Sequence, residues 1–180
     1  MRCIFYPDMA RISHLAAPDI SDRSYTIQAD IDVPANGADG VLLAWGCRFG
    51  GMSLYVQQGK PCFEYVYSET ITHILQSPDV LGAGIHSITL RFDRTSKSAG
   101  QATLLVDNQC VDQATIPKTW ATYGITAGIT CGADDGGPPV TDRYMRPFRF
   151  SGTLHKVSVD LGSDGERSDQ ELLKTLIREE

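Results

Sequence analysis

Four sets of side chains in this sequence are of types that do chemistry. Carboxylates come first, because sandwich-fold glycosidases flank the sugar with two of them, about 5 to 9.5 Å apart. Asp30 and Asp32 share one face of "SYTIQADIDV", and Glu64 and Glu69 follow later. Asp30 and Asp32 abut a Val-Pro turn without a third acidic partner, and a strand end separates Glu64 from Glu69. A solvated sheet face explains both pairs better than acid/base catalysis, so no catalytic residue is assigned and the chain is not read as an enzyme.

Metal and nucleophile chemistry are similarly thin. His14, His73, His86 and His155 show neither HxH nor HExxH spacing. His73 and His155 fall in phase with inward apolar neighbours and read as core or edge residues. No GxSxG elbow, GxxxxGK loop or GxGxxG loop occurs. Asp134, Asp135 and Asp142 gather in the long loop "CGADDGGPPVTDRYMRP". Hard oxygen ligands on a loop are calcium candidates. The order lacks DxDxDG, and turns also demand Asp and Gly, so no other cofactor is implied. The five cysteines, Cys3, Cys47, Cys62, Cys110 and Cys131, form no CxxC pair. They read as reduced and mostly buried thiols.

Aromatic rings are the third kind of tool, since a flat ring can stack on a sugar face. Trp45 sits inside the apolar run Val41 to Trp45 and reads as core. Trp120 and Tyr123 lie in "IPKTWATY", a connection between strands, and are candidate sugar platforms.

The elements that must position these residues are strands. Tyr25, Ile27, Ala29, Ile31 and Val33 alternate with polar residues, the pattern of a half-buried strand. "PANGADG" turns at Asn36-Gly37, and "ATLLVDNQCV" turns at Asp107-Asn108. "GVLLAWGCRFGGMSLYVQQGKPCFEY" reads as two successive hairpins, with Gly50-Gly51 expected to supply positive φ at the first turn. About ten short strands, with turn signals every 8 to 12 residues or so, predict an all-β sandwich or barrel. At the C-terminus Ser168 and Glu171 form a capping box, followed by Leu172, Leu173, Leu176 and Ile177 on one side. This predicts a short helix that packs on its own domain or makes homodimer contacts. The expected organisation is a lead-in segment over 1–23, a sandwich over 24–161, and a linker with helix over 162–180.

The totals exclude other classes. The 180 residues suit one domain, and 42% hydrophobic with 21% charged composition is that of a folded protein. A net charge of −6 without a Lys/Arg cluster argues against a nucleic-acid partner. The longest apolar run is too short to cross a bilayer, and the apolar stretch after Met1 stops at Pro7, so no signal peptide is read. Taken alone, the chain is expected to be cytoplasmic.

The ordered motifs "GVLLAWGCRFGGMSLYVQQGKP", "HSITLRFD", "ATLLVDNQCV", "DDGGPPVTDRY" and "PFRFSGTLHKVSVDL" resemble the C-terminal domain of bacterial arylsulfatases. The resemblance spans roughly residues 4 to 161. It implies a concanavalin A-like jelly-roll sandwich of two antiparallel sheets. Sulfatases hydrolyse their esters with a separate domain, whose Cys/Ser-x-Pro/Ala-x-Arg motif becomes formylglycine. None of the cysteines has that context: Cys47 precedes Arg-Phe-Gly and Cys62 precedes Phe-Glu-Tyr. Three positions depart from the family's usual residues: Cys47 from glycine, Met52 from tryptophan, and Val66 from asparagine. Losing the last two weakens sugar binding by that hairpin. The matched polar features are Arg48 and the "DDGGPPVTDRY" loop, which holds Arg143 and Tyr144. Arg48 either binds an anion such as sulfate or pins the hairpin by bonding loop carbonyls.

The first expectation is therefore a non-catalytic, lectin-like module that packs against a sulfatase-like catalytic domain or another protein, periplasmic if it is part of a secreted sulfatase. The alternative is a free-standing module for anionic or sulfated glycans, with Arg48, Trp120, Tyr123, Arg143 and Tyr144 as candidate ligand residues. A glucanase-type hydrolase stands third. An apolar exposed sheet face would favour the first, and a concave face with aromatic and polar side chains the second.

Overall fold

The computed structural model describes residues 1–120, 127–135 and 137–162. Among these, eleven strands follow one another: β1 Arg2–Phe5, β2 Tyr25–Val33, β3 Gly40–Cys47, β4 Gly50–Gln57, β5 Lys60–Ser68, β6 Ile71–Gln76, β7 Gly84–Ser96, β8 Ala99–Val106, β9 Gln109–Ile116, β10 Ile129–Cys131 and β11 Thr153–Leu161. They form two antiparallel sheets: a six-stranded one ordered β1-β11-β2-β7-β8-β9, and a five-stranded one ordered β10-β3-β4-β5-β6. The result is the expected concanavalin A-like jelly-roll sandwich. No helix among the described residues is long and apolar enough to cross a membrane. The expected C-terminal helix lies outside the described residues.

Alternation builds the first sheet. Every odd residue of β2 from Tyr25 to Val33 is buried and every even one is half-exposed. Ile27 and Ile31 of β2, Ile88 and Leu90 of β7, and Leu104 of β8 meet Leu54, Phe63 and Leu75 of the other sheet with essentially no exposure. Each such side chain contributes about 1.5–3 kcal/mol of burial. Trp45 belongs to this core at 2% exposure. Asp107 and Asn108 turn the β8–β9 hairpin at φ 51° and 66°, as two-residue hairpins require. The lead-in segment joins the sandwich through β1, which pairs with β11, and through Ile12, which bridges Ile129.

Two sequence expectations are corrected. Gly50 and Gly51 do not supply positive φ, because Arg48 and Phe49 occupy the β3–β4 turn. Gly46 carries the positive φ, 88°. Gly51 is required instead by close approach: a Cβ there would lie 2.6 Å from the Trp45 carbonyl oxygen and 2.7 Å from the Cys47 nitrogen. His155 is not inward-facing. A register shift between Leu154 and Lys156 leaves it exposed, while Leu154 and Val157 stay buried. No cysteine is paired; Cys47, Cys62 and Cys131 are buried, Cys3 is partly buried and Cys110 is exposed.

The second sheet does not alternate. β3, β4 and β5 are buried on both faces nearly throughout. The cover on the outer face is the long loop, residues 132–135 and 137–150, hereafter the strap. Its Val140, Tyr144 and Phe148 pack on Val41, Ala44, Tyr55, Cys62 and Val66. Backbone bonds seat it: Gly132 N–H donates to the Leu42 carbonyl at 3.0 Å, Val41 N–H to Phe148 at 2.8 Å, and Arg48 N–H to Pro139 at 2.8 Å.

Candidate ligand-binding face

The strap is held by a buried polar bridge. Tyr144 Oη lies 2.9 Å from Ser53 Oγ on β4 and donates to Asp134 Oδ2 at 3.0 Å. Val140 N–H donates to the same carboxylate at 3.2 Å, and Arg146 lies 3.6 Å from its other oxygen. Ser53 is 0% exposed and Asp134 3%, so water cannot substitute for these partners. Desolvation still outweighs the bonds from Val140 and Tyr144 and holds the Asp134 carboxyl above its ordinary pKa. The Tyr144 ring stacks on Phe148 and meets Tyr55 edge-on.

Three arginines at intervals of three, Arg143, Arg146 and Arg149, line the strap. Arg146 pairs with Asp134, and Arg149 pairs with Asp8 at 2.8 Å and Asp135 at 3.6 Å. Arg143 differs. Its Nε donates to the neutral Tyr55 hydroxyl at 3.1 Å, and Gln57 Nε2 donates to its carbonyl at 2.8 Å. Among the described residues, its terminal guanidinium nitrogens make no hydrogen bond or ion pair. The side chain is thus oriented without being neutralised, and two donor groups remain for a carboxylate, sulfate or phosphate. Burial is outweighed by Tyr55 and the neighbouring acids, so the guanidinium stays charged.

Glu64 lies beside it on β5, directly opposite Ser53 of β4 and Ile74 of β6. It is 4% exposed, and its buried Oε2 has no hydrogen-bond partner. Burial raises its pKa, opposed by a Thr141 hydrogen bond and the Arg143 charge and reinforced by Asp142. Cys62 completes the underside, its thiol pushed up to about 11 by burial. Beyond the strap, Thr72, Ile74 and Gln76 of β6 remain exposed and form an open flank.

The structure brings Arg143 and Tyr144 together and scatters the other sequence candidates. Arg48 lies on the β3–β4 turn, 3.6 Å from Glu69 and over the Phe49 ring. The strap is pinned there by its backbone N–H rather than by its side chain. Trp120 is half-buried rather than an open platform: its ring stacks on Tyr67 at 4.6 Å, and its backbone N–H donates to Tyr65 Oη at 3.0 Å. Tyr123 lies outside the described residues. The calcium candidates diverge, because Asp134 serves the strap bridge, Asp135 faces Arg149 and Asp142 is exposed. No group of three His, Cys, Asp or Glu side chains that could hold a metal gathers among the described residues. Asp30 pairs with Lys156 and accepts from Gln28, so it serves the surface of the six-stranded sheet.

Sequence reasoning missed Glu64 and Tyr55 as site residues. The available signal was a lone acid inside the apolar run "CFEYVY". A recess of about 420 Å³ also exists at the loop end, lined by Asn36, Asp39, Gln58 and Ser151. Its Asp39 Oδ1 is taken by Gly59 N–H, and its Ser151 hydroxyl by the Asp39 backbone.

No protein-family model matches the chain, and no curated protein matches it in sequence. Solved structures do match in fold. The CBM40 of the Ruminococcus gnavus IT-sialidase, bound to alpha2,3 sialyllactose, superposes with a TM-score of 0.62 at 15% identity, covering 97% of both chains. Domains LG4-5 of the mouse laminin alpha1 chain give 0.58 at 13% identity, over 89% of this chain and 39% of that one. The binding domain of botulinum neurotoxin serotype C1 gives 0.53 at 9%, over 83% and 35%. At these identities the likeness is one of fold: a concanavalin-like lectin sandwich.

Proposed function

We propose that this chain is a non-catalytic carbohydrate-binding module that takes an acidic glycan on the outer face of its five-stranded sheet. The observation that carries the reading is Arg143, an arginine oriented by Tyr55 and Gln57 with its terminal donors left over. The Arg143 guanidinium grips the acid group, and the flank of Thr72, Ile74 and Gln76 supplies polar and apolar contact for the sugar ring. The match to a sialidase module solved with sialyllactose supports the ligand class.

The test is titration of the purified protein with α2,3-sialyllactose, lactose and a sulfated oligosaccharide, repeated with Arg143→Gln. An oriented charged pair contributes about 1.5–3 kcal/mol, so the variant loses roughly ten- to hundredfold in affinity. Lactose binding as tightly as the acidic sugars, or an unaffected Arg143→Gln, would sink the reading.

The resemblance to sulfatase accessory domains supports a second reading, packing against a partner domain. Exposed Ile71 and Ile74 on the outermost strand of the sheet favour it. Under that reading no glycan binds, and Ile74→Asp weakens association with the partner.

A further inference from the structure

We infer that Glu64 is the proton-linked element of the Arg143 site, so that an acidic ligand is bound together with a proton on Glu64. This rests on the acidic-glycan reading. Glu64 is a buried acid whose Oε2 has no partner, covered by the strap residues that present Arg143. A carboxylate in that position relies on the nearby guanidinium as its counter-charge. An anion docking on Arg143 neutralises that charge and adds its own negative potential. The ionised form of Glu64 then loses support and the neutral form takes over, which is proton uptake.

Asp134, the strap's other buried acid, is bonded by Tyr144 and Val140 and faces Arg146 rather than Arg143. Within β5 the neighbour is Cys62, whose thiol titrates at about 11. From β4 come Ser53 and Tyr55, the latter's hydroxyl raised further by burial. From β6 the facing residue is Ile74, while His73 pairs with Tyr65 on the opposite face. The strap contributes Thr141, Asp142 and Arg143. Asp142 is exposed to water. The elevated pKa of Glu64, set first by burial, places its titration nearer neutrality than that of an exposed acid.

The test is isothermal titration calorimetry of the full chain with α2,3-sialyllactose, in buffers of different protonation enthalpy, between about pH 5 and about pH 8. Expected for wild type are a net proton uptake per ligand bound and an affinity that falls about three- to tenfold as pH rises across this window. Glu64→Gln, which stays neutral and nearly isosteric, is expected to hold the wild-type low-pH affinity at every pH and to show no proton uptake. Asp142→Asn keeps the wild-type linkage. Binding whose heat is the same in all buffers overturns the inference and leaves the glycan reading standing. Uptake that persists in Glu64→Gln overturns it as well. If neither sialyllactose nor a sulfated oligosaccharide binds, the glycan reading fails and the inference falls with it.

Discussion

Tyr144→Phe tests whether the strap is locked by its buried bridge. The change removes one hydroxyl and keeps the ring, so stacking on Phe148 and the edge contact with Tyr55 survive. Two hydrogen bonds are lost, to Asp134 Oδ2 at 3.0 Å and with Ser53 Oγ at 2.9 Å. A bond to a carboxylate contributes about 1.5–3 kcal/mol and a neutral one about 0.5–1.5 kcal/mol. Both partners are buried at 3% and 0% exposure, so solvent cannot replace the hydroxyl. The expected cost is about 2–4 kcal/mol, or roughly 5 to 15 °C in Tm for a domain of this size. Urea unfolding followed by the fluorescence of Trp45 and Trp120 measures it. Ser53→Ala should then cost less in the Tyr144→Phe background than in wild type, by about 0.5–1.5 kcal/mol. A Tyr144→Phe loss below about 0.5 kcal/mol would refute the argument, since the strap would then be held by backbone bonds and apolar packing alone.

Three further outcomes are expected. Gly51→Ala should destabilise by about 2–3 kcal/mol, because its Cβ meets backbone atoms at 2.6 and 2.7 Å. Gly82→Ala, with nothing within 4 Å, should change stability by less than about 0.5 kcal/mol, and equal effects in thermal melts would contradict this account. Native thiol titration should label exposed Cys110 quickly and leave Cys62 and Cys131 unlabelled, since burial raises them to about 11 and about 12; Cys62 reacting as fast as Cys110 would show that the strap opens. Glu64 has a folded-state pKa above its unfolded value, so its contribution to stability is fully present below about pH 4 and is lost as pH rises through the folded pKa. Glu64→Gln should therefore stabilise the protein at pH 7, with the gain vanishing in acid, and a melt series showing a constant difference would refute the assignment.

The alternation of Tyr25 to Val33 and the Asp107-Asn108 turn made the sandwich legible in the sequence, because both are set by local geometry. The continuous run Val41 to Trp45 likewise announced a strand covered on both faces. What covers it was not legible. Val140, Tyr144 and Phe148 recur every four residues inside a segment of Pro, Gly and Asp, which has no strand or helix pattern and reads as open loop. Arg143 and Tyr144 stood out through the sulfatase resemblance, but their partners Tyr55 and Ser53 lie 88 and 91 residues away in the chain. Glu64 looked like a solvated carboxylate for the same reason: its burial comes from Thr141 and its neighbours rather than from its own strand.

The charge distribution bears on which acidic ligand fits. The chain carries −6 overall, which repels polyanions at long range. At physiological salt such repulsion fades beyond about 8 Å, so a single acid group feels mainly what lies beside Arg143. There the field is mixed. Glu64 and Asp142 flank the guanidinium, and Glu69 faces Arg48 at the nearby turn. Of the strap's other arginines, Arg146 and Arg149 already face Asp134, Asp8 and Asp135. A densely sulfated chain would set several anions against these carboxylates while finding one free guanidinium among the strap's described arginines. A largely neutral oligosaccharide with one carboxylate would find its counter-charge and little to repel the rest. The same balance that argues against a nucleic-acid partner therefore favours a singly acidic sugar over a polysulfated one.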